Sequence, residues 1–381
     1  MKIGFDAKRA FLNRTGLGNY SRGVIEMLQK EPEVNSLVLY TPKLSNEILS
    51  QENLSSDLIE VKTPPALLSG PLSSTWRSNF VTDQIKKDGL DLYHGLSNEL
   101  PKGIENTGIP SVVTIHDLIF LHYPEYYKLI DRKIYETKVK HACDVATRII
   151  ATSEQTADDL VSSLDVNRAK ISVVYQGCDM RFSEPVLDED LIRIKAKFNL
   201  PERYILSVGT VEERKNSKIL VEAIKSLNVR DLKLVLVGRK TNYSDLVLET
   251  AKTLGLEKRV MILDKVDFAD LPAVYQLASV FVLPSLMEGF GIPVLEAMSS
   301  KVPVIVSKNS CLAEVCDNAG IQINPKKTEE IASAISSVLE DDSRRQEMIR
   351  LGHERTQRFS DETISKDLML VYRLAQAEYL K

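Results

Sequence analysis

Positive charge is not in excess. Lys plus Arg number 49 against 53 Asp plus Glu, a net charge of −4 at pH 7. A chain without a global basic field is a poor match to nucleic acid as its main partner and leaves room only for a local basic patch. Cysteine is scarce and unpatterned. Cys143, Cys178, Cys311 and Cys316 form no CxxC and no metal-ligand spacing, and read as reduced thiols of a cytosolic protein. Long apolar runs are missing as well, none approaching the ~20 residues that a spanning helix needs. The opening Met1-Lys-Ile-Gly-Phe-Asp6 sets an acid where a signal peptide needs an apolar stretch. The expectation is a cytoplasmic chain, with peripheral contact at the cytoplasmic face of the inner membrane left open. Tryptophan occurs once, at Trp76, in a loop-to-helix region where packing is favoured over ligand contact.

What is present is an ordinary globular composition, 43% hydrophobic and 27% charged, in 381 residues. That length suits two domains of about 150–200 residues each. Short apolar runs recur between helical patterns. Residues 2–7, 36–40, 91–94, 111–116, 148–152 and 170–174 read as strands of a first sheet. A loop is expected over Lys8–Thr15, then an amphipathic helix carrying Tyr20, Val24, Ile25 and Leu28. After a polar helical segment between Pro185 and Arg203, strands restart at 204–208, 232–237, 260–263, 279–283, 302–306 and 320–323. Strands alternating with helices predict parallel βαβ units, here two doubly wound α/β domains spanning 1–185 and 200–360, with closing helices behind them.

The most informative stretch is Ser285-Leu-Met-Glu-Gly-Phe-Gly-Ile-Pro-Val-Leu-Glu296. It follows a buried strand, turns at Gly289 and Gly291, and becomes helical near Pro293, a residue suited to a first helical position. Unpaired N–H groups at such a helix start, with the helix dipole behind them, attract anions. Glu288 precedes the turn and Glu296 lies a helical turn inside. Carboxylates beside an anion-binding turn point to a ligand with phosphates and hydroxyls, such as a nucleotide sugar.

Other motifs are weaker alone. Gly16-Leu-Gly18-Asn-Tyr-Ser21 fails as a dinucleotide fingerprint, because its sixth position is Ser and it begins some nine residues after the strand. No acid ends the second strand, which argues against a hydride-transfer dehydrogenase. A loop approaching a phosphate or sugar and a plain glycine turn stay equally open. Arg214 and Lys215, in Gly209-Thr-Val-Glu-Glu-Arg-Lys-Asn216, sit at a strand end where a diphosphate would arrive, or simply on a solvated surface. His116, in His116-Asp117 at another strand end, could donate to a developing charge, although local sequence favours a satisfied core histidine. His94 carries the same ambiguity. Asp188-Glu-Asp190 has the outline of a DxD metal motif, but its place at a charged helix start favours capping or solvation, and nothing else assembles a metal set.

Taken together the chain resembles the retaining glycosyltransferases of family 4, and within them the mannosyltransferase B-like branch that builds bacterial surface polysaccharides. The resemblance covers nearly the whole chain. It rests on six ordered motifs: Gly16-Leu-Gly-Asn-Tyr20, Val113-Thr-Ile-His-Asp-Leu118, Ala151-Thr-Ser-Glu154, Val174-Tyr-Gln-Gly-Cys-Asp179, Val208-Gly-Thr-Val-Glu-Glu-Arg-Lys-Asn216 and Glu288-Gly-Phe-Gly-Ile-Pro-Val-Leu-Glu296. It implies the GT-B fold, two Rossmann-like domains facing a central cleft, with a C-terminal helix over 361–381 crossing back to the first. By the same resemblance Arg214 and Lys215 clamp the donor diphosphate, and Glu296 holds the ribose hydroxyls. Glu288 contacts the donor sugar among the N–H groups of Phe290, Gly291 and Ile292, and Val266 lies beside the base. Gly16 approaches the diphosphate and His116 the reaction centre. Where the family often has Gly-Gly, this chain has Thr15-Gly16, so that side of the phosphate pocket departs from the pattern.

The implied reaction moves a hexose from a nucleotide diphosphosugar, GDP-mannose on the nearest branch, to a glycan or lipid-linked acceptor with retention of configuration. It calls for no cofactor and no metal; the leaving diphosphate assists deprotonation of the acceptor. A UDP-sugar donor, a nucleotide-sugar epimerase of similar fold and a non-catalytic sugar-binding protein are the alternatives.

Overall fold

A computed structural model describes residues 1–381 except 46, 47, 49–53, 55, 69, 71, 72, 228, 230 and 381. The chain divides into two compact units, one formed by Met1–Gly177 with Asp361–Lys381 and the other by Cys178–Ser360.

In the first unit the parallel strands are β1 (Lys2–Asp6), β2 (Ser36–Tyr40), β3 (Ile59–Lys62), β4 (Leu92–Gly95), β5 (Ser111–Ile115), β6 (Arg148–Ala151) and β7 (Ile171–Val173). They lie in the order β3-β2-β1-β4-β5-β6-β7. Alternate residues feed two apolar layers. Ile3, Phe5, Leu37, Leu39 and Leu92 meet the helices Gly16–Gln29 and Asp361–Tyr379 on one face. Val38, Tyr40, Tyr93, Val113 and Ile149 pack beneath Trp76, Val81 and Ile85 on the other. Coverage of both faces is why these strands read as continuous apolar runs. The final helix belongs to this core, burying Ile364, Leu368, Met369, Val371, Tyr372 and Ala375.

Two local features differ from the sequence expectation. β3 was not foreseen, because Ile59-Glu-Val-Lys62 carries two charges in four residues. As the outermost strand it pairs on one side only, with β2, and tolerates them. The segment expected as a loop after β1 holds a short helix, Lys8–Leu12, anchored by buried Ala10 and Phe11.

The second unit contains β8 (Tyr204–Val208), β9 (Lys233–Val237), β10 (Val260–Leu263), β11 (Val280–Leu283), β12 (Val304–Ser307) and β13 (Ile321–Ile323), all parallel. Their order, β10-β9-β8-β11-β12-β13, reverses direction between β8 and β11. Open α/β sheets bind ligands outside the carboxyl ends of the strands at such a switch point. The loops that leave β8 and β11 are the stretches holding Arg214, Lys215 and Glu288.

Candidate active site at the switch point of the second unit

The loop after β8 is shaped by residues at both ends. Gly209 has φ +144°, and a Cβ there would lie 3.1 Å from Lys215 Cε, so a glycine lets the lysine chain fold over the backbone. The loop ends in a 3-10 turn, Glu213–Lys215, and at Asn216 in the left-handed region, φ 57°. The Asn216 side chain donates to the carbonyls of Pro284 at 3.2 Å and Pro325 at 2.7 Å. The Leu286 N–H donates to the Arg214 carbonyl at 2.9 Å, which joins the two loops directly.

The charged groups converge on one carboxylate. Arg214 Nη1 donates to Glu288 Oε2 at 2.8 Å and to the Met287 carbonyl at 2.7 Å, while Nη2 reaches Glu212 Oε1 at 2.7 Å. Lys215 Nζ donates to the other oxygen, Glu288 Oε1, at 2.5 Å. All three side chains are largely buried, at 17%, 13% and 10% exposure for Arg214, Lys215 and Glu288. Burial by itself would raise the Glu288 carboxyl, but Lys215 and Arg214 outweigh it and hold it down at about 2. Glu288 is therefore ionised throughout the physiological range.

Beyond Glu288 the chain turns at Gly291, φ +131°, where a Cβ would come 2.7 Å from Leu312. The helix Ile292–Ser299 begins there with Pro293 in its first turn. Gly291 and Ile292 N–H have no hydrogen-bond partner among the described residues, as expected for the start of a helix. Phe290 turns its ring against Phe359, 5.9 Å between centroids. Glu296, one turn into the helix, is 7% exposed and accepts from the Tyr275 hydroxyl at 2.6 Å. Burial pushes its carboxyl up to about 7, against the lowering effect of the Tyr275 bond. Val266 is half-buried in the loop after β10, on the same carboxyl edge of the sheet.

The first unit holds the remaining residues. His116, at the end of β5, is 5% exposed. Its backbone N–H donates to Asn98 Oδ1 at 2.8 Å, and its Nε2 lies 2.9 Å from the Leu96 carbonyl. A carbonyl only accepts, so Nε2 carries the proton of a neutral ring. Burial lowers this imidazole to about 4 despite the Leu96 bond. The edge of Tyr20 packs on it at 4.7 Å, which gives the tyrosine of the glycine motif a structural task. His94 is a satisfied core histidine, bonded to Tyr372 and Thr114 at 2.8 Å each. Gly16 opens the Gly16–Gln29 helix, and a Cβ there would touch nothing within 4 Å. Gly18 is the glycine the fold demands, since a Cβ would fall 1.8 Å from the Asn13 carbonyl oxygen.

Sequence reasoning singled out neither Glu212 nor Tyr275. Glu212 stood inside a quoted motif without a role. Tyr275 gave no signal beyond being an aromatic on a short helix before β11.

The two site carboxylates have opposite linkage to stability. Glu296 is raised in the folded state from its ordinary 4.5, so the fold loses stability as pH climbs from about 4.5 to about 7, by roughly 3 kcal/mol in all. Glu296→Gln should therefore raise the unfolding temperature at pH 8, with the gain shrinking towards pH 5. Thermal scans that show no gain at pH 8, or a gain independent of pH, would refute a strained buried carboxyl.

Two family models match in tandem: "Glycosyltransferase Family 4" over residues 15–182 and "Glycosyl transferases group 1" over residues 188–355. The chain is 27% identical to O-antigen chain mannosyltransferase B of Escherichia coli, over 98% of this chain and 100% of that one. It is 30% identical to O-antigen chain mannosyltransferase RfbU of Salmonella typhimurium over 59% and 60% of the two chains. The crystal structure of Anabaena Alr3699/HepE in complex with UDP superposes with a TM-score of 0.75 at 19% identity, covering 97% of this chain and 99% of that one. This last likeness speaks for the fold alone, which is GT-B, with two Rossmann-like domains. With both models matched in order along the chain, the protein belongs to the family 4 glycosyltransferases.

Proposed function

We propose that the protein transfers mannose from GDP-mannose to a hydroxyl of a glycan or lipid-linked acceptor in surface polysaccharide synthesis, with retention and without a metal. The observation that carries the reading is the pairing of Arg214 and Lys215 on buried Glu288, beside the free N–H groups of a helix start. Two preorganised cations and a helix N-terminus supply the positive field that a departing diphosphate requires. In this reading the bond from the sugar's C1 to the diphosphate oxygen breaks as the bond to the acceptor oxygen forms on the same face. The acceptor's proton passes to the leaving diphosphate. Glu296 accepts the ribose hydroxyls, and Glu288 contacts the donor sugar while orienting the cations. Gly291 and Ile292 with the Phe290 backbone line the phosphate, Val266 lies by the base, and the first unit contributes Gly16 and His116. His116, neutral and fixed by Leu96 and Tyr20, serves the transfer step as a hydrogen-bonding group.

The mannosyl assignment draws on the likeness to the two O-antigen chain mannosyltransferases. A UDP-sugar donor is the second reading, because the cations and carboxylates described suit any nucleoside diphosphate. Release of nucleoside diphosphate from a panel of GDP- and UDP-sugars, with lipid-linked glycan extract as acceptor and EDTA present, tests both. The expected result is acceptor-dependent release from GDP-mannose that survives EDTA and collapses in folded His116→Ala. Release from UDP-sugars alone overturns the mannosyl reading, loss restored by magnesium or manganese overturns metal independence, and full activity in His116→Ala removes that residue.

No helix among the described residues is long and apolar enough to cross a membrane. The helix Leu129–Val145, however, exposes Leu129, Ile130 and Ile134 beside exposed Lys128 and Lys133. Apolar side chains flanked by lysines suit the surface of an anionic bilayer, and we assign peripheral membrane contact to this face. Pelleting with phosphatidylglycerol vesicles should fall in Leu129→Glu/Ile130→Glu; equal pelleting of the variant would refute the assignment.

A further inference from the structure

We infer that Tyr275 is a positioning residue for nucleotide recognition: its hydroxyl fixes one oxygen of Glu296 so that the other faces the ribose. The inference rests on the reading of Glu296 as the ribose acceptor and adds the group that aims it.

The geometry is specific. The Tyr275 hydroxyl donates to Glu296 Oε2 at 2.6 Å across 21 residues of sequence. Glu296 Oε1 has no hydrogen-bond partner among the described residues. Oε1 is not among the buried unpartnered polar atoms, so it is the oxygen of this carboxyl that reaches the surface and can accept from a ligand. Tyr275 cannot swing away. It is fully buried, with its ring edge-on to Phe182 at 5.5 Å and tilted against Phe281 at 5.7 Å. Phe182 is braced in turn by Phe268 at 5.7 Å. An aromatic clamp thus holds the hydroxyl, the hydroxyl holds Oε2, and the rigid carboxyl plane then directs Oε1. Without the bond, a glutamate side chain with three rotatable torsions would lose that direction.

A purely structural tyrosine would satisfy its own buried hydroxyl and nothing more. The two roles differ in what they do to ribose preference. Calorimetric titration would compare GDP and UDP, each against its 2′,3′-dideoxy analogue, on wild type and on Tyr275→Phe. Wild type should bind the cognate ribonucleotide on the order of tenfold or more tighter than its dideoxy form, as hydrogen bonds to a charged group imply. Tyr275→Phe should lose most of that preference while holding its dideoxy affinity within about twofold. Phe182→Leu, which keeps the hydroxyl but frees the ring, should lose part of it and gives the reading if Tyr275→Phe fails to fold. An undiminished preference in the folded variants overturns the inference. Absence of any preference in wild type overturns the ribose role of Glu296 itself.

Discussion

The second unit's site depends on one carboxylate shared by two cations. Glu288 gives an oxygen each to Arg214 and Lys215, and the carboxylate comes from the loop after β11 while both cations come from the loop after β8. Isolated, any of them would be expensive to bury. Together, one carboxylate offsets part of the charge of two cations, and deleting one partner of such a pair typically costs about 3–5 kcal/mol. The penalty secures the geometry: the β8 and β11 loops have one low-energy arrangement, and in it both cations sit beside the start of the Ile292–Ser299 helix. Gly209, Asn216 and Gly291 are the backbone concessions that let the loops approach so closely.

The same burial acts differently on the second carboxylate. Glu288 has two cations and stays ionised, whereas Glu296 has only a tyrosine hydroxyl and is pushed up to about 7. Eight residues apart on one turn-and-helix, they are shifted in opposite directions from the ordinary carboxyl value. In the proposed reading, the strain at Glu296 is what a ligand with paired hydroxyls would relieve.

Much of this was legible in sequence because apolar runs in a parallel sheet are continuous and helices between them are amphipathic. Strands buried on both faces announced themselves, whereas β3, an edge strand with Glu60 and Lys62, did not. The loops carrying Arg214, Lys215 and Glu288 were found because glycine, proline and charge cluster at strand ends. That Glu288 holds both cations was not legible, since pairing across more than 70 residues leaves no periodic trace. Tyr275 was hidden for the same reason. The histidines show the limit of local reading: His94 and His116 end neighbouring strands in similar words, yet one has both ring nitrogens bonded in the core and the other only Nε2. Of the two glycines in Gly16-Leu-Gly18, sterics require the one to which no role was given.

The central claim is that Glu288 aims Arg214 and Lys215 at a diphosphate. Its most direct measurement is the ratio of nucleoside diphosphate to nucleoside monophosphate affinity, GDP over GMP and UDP over UMP, in wild type and in Glu288→Gln with its fold checked by near-ultraviolet circular dichroism. Wild type should favour the cognate diphosphate by on the order of tenfold or more, the worth of charged hydrogen bonds to the added phosphate, and the variant's ratio should fall towards one. An unchanged ratio in a folded Glu288→Gln protein would contradict the account.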